Sequence, residues 1–198
     1  IEELNANCPW PAIRSLWLAR FANIAGDIVA AERQRRTKAT PRLREDMASI
    51  HIPEVGLTLT GRADRVDVTP DGAAILYDYK SGALPTGPQQ QKFDKQLLIQ
   101  AAMLERGAFE KLGPIRTMGA SFVGIGSATK ETPAPLAEMT ADETWDGFVA
   151  LMQRWRQKDR GFSARLAPFV DSYTGPYDHL SRFGEWEMID PVTPEDLE

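Results

Sequence analysis

From Pro11 to Arg36 apolar residues return every three or four positions. Ile13, Leu16, Trp17, Phe21, Ile24 and Ile28 therefore share one face of a helix. Pro11 suits the first turn, where its missing N–H costs nothing, and the arginines near the far end complement the negative pole of the helix. The aromatic stripe predicts a helix packed into the core along that face.

The period then changes. Residues 37–54 are polar and interrupted by Pro41 and Pro53, which predicts a connection with room for a short helix or strand. Leu57-Thr58-Leu59-Thr60 alternates, and Ala63 to Val68 continues in extended style. Thr69-Pro70-Asp71-Gly72 supplies a turn, with proline presetting one dihedral and glycine taking a positive one. Ala73 to Tyr79 forms a second strand, closed by Ser81-Gly82, so the pair reads as an antiparallel hairpin. Leu57 and Leu59 share one parity while Asp64, Val66 and Val68 share the other. Either a bulge near Gly61 or a strand buried on both faces accounts for that slip.

Residues 83–92 read as a loop, followed by a helix from Phe93 to Arg106 with Phe93, Leu97, Ala101 and Leu104 inward and Gly107 past its end. A strand covers Ile115 to Gly124, and 125–138 read as loop. Thr140 and Glu143 make a capping box before a helix bearing Trp145, Phe148, Val149, Met152 and Trp155. From Gly161 onward prolines and glycines predict irregular chain. This element order predicts an α/β or α+β sandwich with a mixed sheet.

With 198 residues, 42% hydrophobic and 26% charged, the chain fits one globular domain over 1–198. No apolar run reaches the length of a membrane span, which predicts no membrane partner. No secretory signal opens the chain, and a cytoplasmic protein is expected. Ile1 in place of methionine reads as a fragment of a longer polypeptide. The single cysteine, Cys8, excludes an internal disulfide and any multi-cysteine metal site. The net charge of −5 argues against a free-standing nucleic-acid binder. Basic residues cluster at Arg33, Arg35, Arg36, Lys38, Arg42 and Arg44, and again at Arg154, Arg156, Lys158, Arg160 and Arg165. Each cluster reads as a solvated face. A DNA-handling role would leave much of the grip to other subunits or domains.

The chemistry concentrates in Gly61-Arg62-Ala63-Asp64-Arg65-Val66-Asp67, in Tyr77-Asp78-Tyr79-Lys80-Ser81-Gly82, and in Gln96. Alternation puts Asp78 and Lys80 on one face of their strand, roughly 7 Å apart at Cα. The hairpin can bring Asp64 to that face. Two carboxylates and an amine suit a hard cation, Mg²⁺ or Mn²⁺, and the water attack that cleaves a phosphodiester. An Asp-x-Lys triplet alone is common, and Arg65 with Asp67 could simply form ion pairs. Context favours use: Asp78 and Lys80 close an otherwise apolar strand, where isolated charges are costly.

These motifs resemble the RecB-type nuclease branch of the PD-(D/E)xK superfamily, and within it the C-terminal nuclease domains of AddB-type proteins from α-proteobacteria. The likeness extends to Arg14-Ser15-Leu16-Trp17-Leu18-Ala19-Arg20-Phe21, to Gln96-Leu97 with Ala101-Ala102-Met103, and to Tyr177-Asp178-His179-Leu180 with Gly184-Glu185-Trp186. The resemblance implies a mixed β-sheet core flanked by helices. It implies Asp64, Asp78 and the backbone carbonyl of Tyr79 as metal ligands and Lys80 as the catalytic lysine. Gln96 and Arg65 would contact DNA or support the site. It further implies Mg²⁺- or Mn²⁺-dependent exonuclease action on DNA ends in double-strand-break repair, with an AddA-like helicase–nuclease subunit and the rest of the same polypeptide as partners. Such a protein would work at the bacterial nucleoid.

Three departures stand out. The helix that carries the family's first-motif histidine or glutamate has no counterpart and would precede Ile1; His51 and His179 read as ordinary histidines, and Glu32 and Glu54 are the acids available as substitutes. Gln100 stands where a tyrosine often follows the glutamine. One cysteine cannot build the iron–sulfur cluster of some AddB proteins. The rival readings are a non-catalytic, nuclease-like structural or DNA-guiding module and a restriction-type endonuclease. The latter should carry a sequence-reading element or a dimer surface, and neither is evident.

Overall fold

The computed structural model describes residues 6–126, 129–158, 160, 178–182, 185–187 and 189–191. Five strands, β1 (Thr40–Ile52), β2 (Leu57–Val68), β3 (Ala74–Lys80), β4 (Thr117–Ile125) and β5 (Thr129–Pro133), form one sheet in sequence order. Neighbours pair antiparallel except β3 and β4, which run parallel, so the sheet is mixed as expected. The helices are α1 (Pro11–Lys38), α2 (Gly87–Lys92), α3 (Gln96–Glu105), α4 (Ala141–Trp155) and α5 (Asp178–Ser181). Most of the segment from Gly161 onward, expected to be irregular, lies outside the described residues.

A parallel β3–β4 pair needs a crossover, and α2 and α3 supply it. Nearly every side chain of α3 is buried, from Leu97 to Leu104, because the helix is sandwiched between the sheet and α4. Leu76, Val66, Phe122 and Phe109 complete that core, and Trp145 of α4 packs against it. Gly107 ends the turn after α3 with φ 75°, a conformation glycine adopts without penalty. The Thr140–Glu143 capping box forms as expected, with the Glu143 N–H donating to Thr140 Oγ1 at 3.2 Å. The Thr69–Gly72 turn also forms, closed by the Gly72 N–H donating to the Thr69 carbonyl at 2.9 Å.

Four expectations need correction. Residues 37–54 are not a connection, because β1 runs for 13 residues along β2. As the edge strand it can be largely polar, and Pro41 sits beside the register shift at Pro41/Leu43, where a missing N–H is tolerated. The segments read as loops at 83–92 and 125–138 contain α2 and β5. The helix expected from Phe93 begins at Gln96, and Phe93 is exposed as the cap of α2. The parity slip in β2 comes from burial on both faces between Ala63 and Asp67, and the described ladder has no bulge at Gly61.

The fourth correction concerns α1. The helix forms, but its aromatic stripe is not core: Trp17 is 48% and Phe21 61% exposed, and only Ile24 and Arg35 are buried. A helix of 28 residues is about 42 Å long, whereas five strands span only about 19 Å. Its C-terminal half meets the sheet, on the face opposite α3, through Arg35 over Tyr77 and the Glu32–Arg65 pair. The N-terminal half carries the same stripe beyond that contact. No helix among the described residues is long and apolar enough to cross a membrane.

Candidate active site

The β2–β3 ladder runs from Val68↔Ala74 to Arg65↔Tyr77 and stops there. Beyond it β2 stays with β1 while β3 stays with β4, so the sheet forks. Asp64 and Asp78 are the next residues on either side of the fork. Their backbones lack the ladder that would have joined them, and side chains fill in. The Tyr79 N–H donates to Asp64 Oδ2 at 2.8 Å, and Gln100 donates to the Arg62 carbonyl at 2.9 Å. Gln100, the departure from the family's tyrosine, thus satisfies a strand carbonyl at the fork.

Asp78 is 3% exposed. Gln96, the first residue of α3, donates to its Oδ1 at 2.5 Å, and the Lys80 ammonium lies 2.8 Å from Oδ2. Lys80 also donates to Gln96 Oε1 at 3.0 Å and sits 5.3 Å from the centroid of the Phe122 ring. Among the described residues the Lys80 ammonium is the partner that holds this buried oxygen, as an ion pair. Burial pushes the Asp78 carboxyl above its ordinary value. Lys80 pulls the other way, the nearby Asp64 charge adds to the rise, and Gln96 opposes it. A cation would reverse that balance. Asp78 and Lys80 therefore share one face, as the strand periodicity predicts, with Gln96 joining them and Asp64 near enough for its charge to act on Asp78.

Among the described residues no group of three or more His, Cys, Asp or Glu side chains could hold a metal ion. Two acids are nevertheless enough for Mg²⁺ or Mn²⁺, which keeps several waters when one or two carboxylates bind it. Asp78 Oδ2, buried near the Asp64 charge and held by Lys80, fits such an ion. Neither acid considered as a substitute third ligand is at the fork. Glu32 pairs with Arg36 and Arg65 on the opposite face, and Glu54 lies in the turn between β1 and β2, at the other end of β2. His51 meets the Thr58 hydroxyl at 3.3 Å near that same far end, and His179 lies on the short α5.

Arg65 is buried on the α1 side. It grips both oxygens of Asp67 at 2.6 Å and donates to Glu32 at 2.5 Å and to the Tyr79 hydroxyl at 3.3 Å. Burial alone would lower its pKa; Asp67, Glu32 and Tyr79 instead hold it above the ordinary value. Of the two roles open to Arg65, direct DNA contact and support, the geometry fits support.

Beyond Lys80, at the C-terminal ends of β3 and β4, a groove of about 680 Å³ opens between Ser81–Leu84, Gly124, Gly126 and Lys130–Thr132. Ligands of open α/β sheets bind at such strand ends. Residues 3–171 match the model of the PD-(D/E)XK nuclease superfamily. The chain belongs to that superfamily. No curated protein matches it. The mixed five-stranded sheet flanked by helices is consistent with the superfamily's fold.

Sequence reading missed two contributors. Phe122 lies under Lys80 because β4 pairs parallel with β3, matching Asp78 to Phe122, a nonlocal register with no local signal. The Tyr79 side chain and N–H serve opposite faces of the sheet, which alternation in β3 could have shown for the side chain alone.

Proposed function

We propose that this domain is a Mg²⁺- or Mn²⁺-dependent deoxyribonuclease acting on DNA ends, part of a helicase–nuclease assembly that prepares double-strand breaks for recombinational repair. The observation that carries the hydrolytic reading is the buried Asp78 carboxylate at a strand fork, paired with the Lys80 ammonium at 2.8 Å and within electrostatic reach of Asp64. Asp64 and Asp78 would hold the cation, with the Tyr79 carbonyl as the third protein donor that the family resemblance implies. When bound, the cation supplies charge neutralisation at the phosphate and activation of the attacking water.

Lys80 carries its ammonium to the cluster and can stabilise the negative charge that builds on the phosphate oxygens. Gln96 holds Lys80 and Asp78 in fixed relation, so neither side chain reorganises as the phosphate arrives. Phe122 gives the Lys80 ammonium an aromatic face to rest on. The groove that begins at Ser81, the next residue after Lys80, would be the path of the nucleic-acid chain toward these groups. An AddA-like subunit and further parts of the same polypeptide are the partners this reading implies. They would supply the basic surface that a chain of net charge −5 lacks.

The two-carboxylate donor set favours one rival, a nuclease-like module without catalysis that guides DNA or serves architecture. Nicking of labelled linear DNA with Mg²⁺, by wild type, Asp64→Ala and Asp78→Ala, separates the two. Cleavage by the wild type that is lost in both variants supports the nuclease. Equal, background-level cleavage by all three supports the module.

A further inference from the structure

Glu32 lies on α1, across the sheet from the two aspartates, yet it belongs to a continuous chain of contacts that reaches them. It accepts from Arg36 at 2.6 Å and from Arg65 at 2.5 Å. Arg65 also donates to the Tyr79 hydroxyl at 3.3 Å. The Tyr79 backbone N–H, on the far side of the same residue, donates to Asp64 at 2.8 Å. Arg65 is the covalent neighbour of Asp64, so the path closes on itself.

We propose that Glu32 is a positioning residue for the cation site, acting through Arg65 and Tyr79 to fix the Asp64 carboxylate. This rests on the nuclease reading above. Asp64 stands past the end of the β2–β3 ladder, where no strand pairing between those two strands sets its backbone. Its orientation depends on the Tyr79 N–H, and the Tyr79 ring is tied to α1 by way of Arg65.

A buried ion cluster is weak evidence of a stability role, since apolar packing commonly does as well. Its advantage is geometric. The planar guanidinium offers donors in a fixed fork, and here two of its nitrogens fit Asp67 while the third reaches Glu32 and Tyr79. Glu32 is the member contributed by α1, so the seating of that helix is transmitted to the cation site. Removing it leaves the guanidinium held by Asp67 alone, so the nitrogen that reaches the Tyr79 hydroxyl loses its anchor on α1.

The test uses Mn²⁺ as the probe, with binding to the whole chain followed by electron paramagnetic resonance. Exchange of the Tyr79 amide is measured in parallel on the metal-free protein. Outer residues that orient metal ligands change affinity by about 10–100-fold when altered. Glu32→Gln and Tyr79→Phe are therefore expected to weaken Mn²⁺ binding by about tenfold and to speed Tyr79 amide exchange, and Glu32→Asp should restore part of both. Wild-type Mn²⁺ affinity in Glu32→Gln and Tyr79→Phe, whatever their melting temperatures, overturns the proposal while leaving the nuclease reading intact. Absence of Mn²⁺ binding by the wild type overturns both.

Discussion

Asp64 accepts the Tyr79 N–H at 2.8 Å, so a side-chain carboxylate stands where a strand carbonyl would otherwise continue the ladder. Strand separation and site formation are thus one event. The fork leaves backbone groups needing partners, and one side chain that meets the need is Asp64, a proposed ligand of the cation.

Asp78 should be a stability liability until a cation arrives. Its carboxyl is raised, so its contribution to folding is full below the unfolded value near 3.8 and is lost as pH rises through the folded value. Asp78→Asn, permanently neutral, should melt a few degrees above the metal-free wild type at neutral pH, with the gap closing toward acid. Differential scanning calorimetry across pH, with chelator present, checks this. A lower melting point for the variant at neutral pH would show that Lys80 and Gln96 outweigh burial.

Lys80→Met should separate binding from chemistry. Loss of one charge-stabilising group costs about 10²–10³ in kcat. Mn²⁺ binding should survive or tighten, because a cation competing for Asp78 Oδ2 has gone. Single-turnover cleavage beside a Mn²⁺ titration reads both quantities.

Gln96→Ala should cut cleavage by about tenfold while the fold is retained, since it orients Asp78 and Lys80 without itself reacting. Gln96→Glu should do worse, placing a third negative charge beside Asp78. Steady-state kinetics at saturating Mg²⁺ distinguishes the pair.

The exposed half of α1 makes a contrasting stability prediction. Phe21→Ser should change unfolding free energy by no more than about 0.5 kcal/mol, as for other surface sites. Ile24→Ala, at a buried position three residues on, should cost about 2 kcal/mol or more. Urea denaturation of both variants supplies the comparison.

The hairpin, the capping box and the shared face of Asp78 and Lys80 are legible because each rests on local rules: a Pro-Asp-Gly turn, a Thr-x-x-Glu cap, and alternation along a strand. β1 was hidden because an edge strand may be polar and carry Pro41, the two features that mark a loop. The role of Trp17 and Phe21 was misread because periodicity reports which face is apolar and not how far the neighbouring sheet extends. Phe122, Glu32 and the Tyr79 relay depend on pairings between distant segments, which no local period encodes.

The most direct test is a crystal of this chain soaked in Mn²⁺ and measured for anomalous scattering. One ion bound by both Asp64 and Asp78, at oxygen distances of about 2.1 Å, is the expected result. Two aspartates left ion-free at saturating Mn²⁺, with Lys80 still paired to Asp78, would contradict it.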